Sequence, residues 1–74
     1  MNTMLFRVIA QMPISDQLKN KFPSFIGKEL DKVLQEFNFD ITNEDSIDID
    51  IIAEIISERL RMHISNIHKN ENKL

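Results

Sequence analysis

The sequence has no cysteine, tryptophan or tyrosine, and only one glycine and two prolines among its 74 residues. Without cysteine, the disulfide-stapled scaffolds are excluded. So few glycines and prolines cannot supply the tight turns that an all-β fold needs. The missing Trp and Tyr remove the amphipathic aromatics that anchor many binding hot spots. Long apolar runs are missing too, and no stretch approaches the roughly 20 residues of a membrane span. Residues 1–12 lack the basic leader and the long apolar run of a signal peptide. The expectation is a cytoplasmic protein with no membrane partner. No glycine-rich phosphate loop is present.

What is present is aliphatic. The apolar fraction is 42%, supplied by twelve Ile and six Leu against five Phe. A single domain of this length buries only ~60% of the surface its unfolded chain exposes. Its stability must therefore come from apolar packing, its own or shared with a second chain.

Charge is segregated along the chain. Residues 1–35 carry five basic and three acidic side chains, a net of +2. Residues 36–58 carry Glu36, Asp40, Glu44, Asp45, Asp48, Asp50, Glu54 and Glu58 with no Lys or Arg, a net of -8. Residues 59–74 return to +3. The basic footprint of a nucleic-acid-binding domain is missing.

Hydrophobic spacing predicts an all-α fold of three to four helices within residues 1–68, the longest over 43–68, followed by a frayed polar tail at 69–74. Acidic residues crowd the start of the long helix and basic ones its end, which complements the helix macrodipole. Thr42, Asn43 and Ser46 are each competent N-caps. A second helix is predicted over 24–37, capped by Ser24, with Ile26, Leu30, Val33, Leu34 and Phe37 on one stripe. A short third helix spans 15–22, with Ile14, Leu18 and Phe22 in register, and Pro23 breaks the chain after it. Residues 4–12 fit a helical stripe of Leu5, Val8, Ile9 and Met12, which is the favoured reading. They also alternate, and the alternative fold is α+β, with a short N-terminal strand over 4–10 pairing with 37–41. Two such strands alone are marginal. Ser46 to Ile52 alternates as well and also fits an edge strand.

On a helical wheel the long helix carries two apolar faces. The broader holds Ile49, Ile52, Ala53, Ile56, Leu60, Ile64 and Ile67. The narrower holds Ile47, Ile51, Ile55 and Met62, within about 80° of one another and roughly opposite the first. Either the N-terminal segment with Leu5, Ile9 and Met12 covers this second row, or another chain does.

Catalytic and metal chemistry find little support. A twelve-residue calcium loop starting at Asp40 would place Ile51 where a bidentate glutamate is needed, with no glycine at its sixth position. His63 and His68 lie five apart, off one helical face, and read as surface histidines; a zinc site needs three or four converging ligands. A helix-turn-helix over 15–37 is opposed by the mixing of Lys28 and Lys32 with Glu29 and Asp31. No cofactor or metal is expected, and no enzymatic activity.

The stretch Asp45-Ser-Ile-Asp48, followed by Ile52, Ile56, Leu60 and Ile64, resembles the acyl carrier protein motif, in which Asp-Ser-Leu opens an apolar helix. The resemblance implies Ser46 as a phosphopantetheine attachment site and an acidic helix read by basic partner enzymes. Asn43 stands where that motif has glycine, and few residues follow Ile64 to build the family's last helix.

The expectation is a small non-catalytic protein-interaction module, an accessory or regulatory subunit that docks through an Ile-rich helix face. Its partner is another protein, either a second copy or a larger target, with no direct nucleic-acid contact. The expected contact set is Ile47, Ile51, Ile55 and Met62 with Asp48, Asp50, Glu54 and Glu58. Two other functions fit the same residues. One is an acidic phage- or plasmid-type inhibitor that occupies the nucleic-acid-binding groove of its target. The other is an atypical acyl-carrier-like protein modified at Ser46.

Overall fold

Met4, Val8 and Met12 recur every fourth residue, and all three are buried. This spacing builds α1 (Asn2–Gln11), the first of four α-helices in the computed structural model, which describes residues 2–72. α2 (Asp16–Lys21), α3 (Pro23–Glu36) and α4 (Ile49–Asn72) follow, with a 3-10 turn at Glu44–Ser46. No strand occurs among the described residues. The fold is a small all-α bundle with a long final helix. In the alternating reading of 4–10, Phe6 would share a face with Met4 and Val8. Phe6 is instead 69% exposed while both of those are buried.

α2 is capped by Ser15, whose Oγ accepts the Leu18 N–H at 3.3 Å. α3 begins one residue before the expected start. Pro23 occupies its first turn, where a missing N–H costs nothing, and Phe22 rather than Ser24 holds the cap position. The end of α3 is a Schellman motif. Asn38 turns left-handed at φ 53°, its N–H reaches the Gln35 carbonyl, and the Phe39 N–H reaches the Leu34 carbonyl at 3.1 Å. That geometry uses up the backbone of 37–39, so the partner strand of the α+β alternative never forms.

α4 starts six residues later than the acidic run suggested. Asp48 is its cap: Oδ1 accepts the Ile51 N–H at 3.3 Å, and the Ile52 N–H reaches the Asp48 carbonyl. Ile47 and Ile52 then occupy the N′ and N4 positions of a hydrophobic staple, and both are buried. Ser46 is no cap. Its hydroxyl donates to the Asn43 carbonyl at 2.7 Å and closes the 3-10 turn. The helix runs four residues beyond the expected His68 end; residues 73–74 lie outside the described residues.

The core gathers on α4. Ile52, Ala53, Ile56 and Leu60 are fully buried against Val8 of α1 and Ile26 and Val33 of α3, with Ile49 beside them. α1 and α3 each pack along α4 but meet one another only sparsely. The broad stripe thins toward the C-terminus, where Ile64 is half-buried and Ile67 is exposed.

One ion-pair network ties α3 to α4. Glu29 is buried, and its carboxylate meets Arg59 at 3.4 Å and Lys32 at 3.2 Å. The other end of the Arg59 guanidinium holds Glu36. The Glu36 hydrogen bond, followed by Glu29, raises the Arg59 pKa above its ordinary value.

Candidate docking surfaces

The row Ile47, Ile51, Ile55 and Met62 is split by the structure. Ile47 precedes the helix and is buried in the core, so it offers nothing to a partner. Ile55 is half-buried and packs against the core, sharing a shallow hollow with Pro13 and Arg61. Arg61 donates to the Pro13 carbonyl at 3.2 Å and pins the α1–α2 connection beside it. Ile51 and Met62 remain open, 50% and 60% exposed. Intramolecular packing takes one end and the middle of the row, and two side chains stay outside.

The acidic residues of the expected contact set divide as well. Glu58 pairs with Arg61 at 3.3 Å, and Asp48 is occupied as the α4 cap. Asp50 and Glu54 are exposed and enter no ion pair among the described residues. Arg7, distant in sequence, shares a hollow of about 370 Å³ with Asp48 and Asp50 without closing on either. Tertiary structure thus brings basic groups to an acidic stretch that has none in sequence. Asp40 stands apart. The Thr42 hydroxyl and then the Thr42 N–H bind its carboxylate and hold its pKa below the usual aspartate value.

His63 is not a surface histidine. It is half-buried, stacked on Phe25 with ring centroids 4.5 Å apart and met edge-on by Phe22 at 6.0 Å. Among the described residues, no three His, Asp or Glu side chains converge as a metal site. No helix among them is long and apolar enough to cross a membrane.

A second surface was not anticipated from sequence. Met4, Leu34, Phe39 and Ile41 line a hollow of about 590 Å³ between α1, α3 and the loop after α3, rimmed by Asp31 and Glu44. The Schellman turn shapes it by folding Phe39 back beside Leu34. Its sequence signal was Asn38, a residue type that tolerates the left-handed conformation after a helix.

No protein family, curated protein or solved structure matches this chain.

Proposed function

We propose that this protein is a non-catalytic interaction module that docks on another protein through the outward side of α4. The observation that carries this reading is the pair Ile51 and Met62. Two large apolar side chains stand half or more exposed on a rigid helix, with Glu54 and Glu58 between them in sequence. Each is already about half covered, so burying the remainder is worth roughly 1–2 kcal/mol apiece. The acidic flank adds selectivity for a target with basic residues around an apolar patch. Ile51→Glu/Met62→Glu, both solvent-facing, is expected to leave helicity and melting temperature nearly unchanged. It should abolish the complex captured from native cells, or the dimer seen by sedimentation if the partner is a second copy. A variant that retains all wild-type partners and the wild-type oligomeric state would overturn the reading.

Asp45, Asp50 and Glu54, exposed and without an ion pair among the described residues, favour a second reading, the acidic inhibitor of a nucleic-acid-binding protein. Salt separates the two. An apolar contact survives high ionic strength, whereas a charge-driven complex weakens as the Debye length shrinks to about 3 Å at 1 M salt.

A further inference from the structure

Opposite α4, the bundle has an open seam. α1 and α3 each pack more extensively on α4 than on each other, and where no α4 residue lines the surface they flank a trough floored by the buried Met4 and Leu30. Two hollows run end to end along it and share Met4, Asp31 and Leu34. The wide one, about 590 Å³, lies at the C-terminal end of α3 and includes Ile41, 54% exposed. The narrow one, about 310 Å³, lies at the N-terminal end of α3 and includes Leu5, Gly27 and Lys28.

We propose that this seam seats an amphipathic helix of a partner protein, apolar along one stripe and cationic at the end that lies over Asp31 and Glu44. Two helices flanking an apolar trough are the geometry of helix-in-groove recognition. Charge fixes the chemistry of the occupant. Asp31 and Glu44 enter no ion pair among the described residues, and no described Lys, Arg or His lines the wide hollow. The narrow hollow carries Lys28 beside the shared Asp31. A helix with its positive N-terminus over the two carboxylates adds its dipole to that attraction. The same charges disfavour a second copy of this chain. Its α4 face carries Glu54, which enters no ion pair among the described residues and would be repelled by Asp31 and Glu44.

Gly27 is an independent observation. Glycine inside a helix costs about 1 kcal/mol relative to alanine, and packing within this fold does not require it, because an added Cβ would meet nothing within 4 Å. The open space above Gly27 belongs to the narrow hollow, where a missing side chain lets a second backbone approach closely.

The test uses the full chain and a fluorescent helical peptide of leucine and lysine, its leucines on one stripe and its lysines toward the N-terminus. A counterpart carries glutamate for lysine. Anisotropy is expected to show binding of the lysine peptide and much weaker binding of the glutamate peptide. Gly27→Met fills the floor and raises helix propensity, so it should keep or raise the melting temperature while weakening binding about tenfold, the equivalent of one lost apolar anchor. Asp31→Lys should shift preference toward the glutamate peptide. Ile51→Glu/Met62→Glu should bind the lysine peptide as wild type does, which separates this seam from the α4 face. The proposal is overturned if the lysine peptide fails to bind, or if folded Gly27→Met and Asp31→Lys bind it as tightly as wild type.

Discussion

Asn38 is the only non-glycine residue with positive φ among those described, and it decides how α3 ends. A β-branched side chain there would meet the steric penalty of the left-handed region, roughly 1–2 kcal/mol. Asn38→Ile is therefore expected to lower stability by about that amount in urea denaturation, while Asn38→Gly should be neutral or slightly stabilising. Asp40, two residues on, supplies a titration test. Because its folded pKa is lowered, its contribution to stability is complete above the usual aspartate range and is lost as pH falls through the lowered value. In an NMR titration its midpoint should sit below that of an ordinary aspartate, and Thr42→Val should move it back up. Ser57 presents the opposite situation. Its hydroxyl is fully buried with no hydrogen-bond partner, and such a group costs about 1–3 kcal/mol. Ser57→Ala, which also improves helix propensity, should raise the melting temperature.

At the scale of elements, the apolar stripes of α3 and α4 were readable because each follows the helical repeat: Ile26, Leu30 and Val33 on α3, Ile52, Ile56 and Leu60 on α4. At the N-terminus the expected stripe shares Val8 and Met12 with the buried row, but Met4 completes it while Leu5 and Ile9 are half-buried. The start of α4 was not. Thr42, Asn43, Ser46 and Asp48 are all competent caps in a run of acids, and the choice among them is settled by burial of Ile47, a tertiary event with no local signature. Of the candidate contact residues, Ile51 and Met62 emerge exposed because helical phase alone determines their direction. Ile47 does not, because the helix it was assigned to begins beyond it. The Arg59 bridge was equally out of reach, since Glu29 and Arg59 are 30 residues apart and only the crossing of α3 over α4 brings them together. That bridge makes a firm prediction. Arg59→Met leaves the buried Glu29 with Lys32 alone and should cost about 1–3 kcal/mol by chemical denaturation. Adding Glu29→Gln should recover part of the loss.

For the whole molecule, the decisive feature is that α1 and α3 rest on α4 and hardly on each other. α4 is translated after both. During synthesis the stripes of α1 and α3 have no surface to fold against until residues 49–60 have been made. At ribosomal rates of 5–20 residues per second, the interval from the end of α3 to Leu60 is roughly 1–5 s. The stretch that follows α3, residues 37–58, carries a net charge of -7. Like charges oppose association between chains, so in the unfolded state, before α4 docks, this segment opposes the pairing of two copies whose α1 and α3 stripes are uncovered.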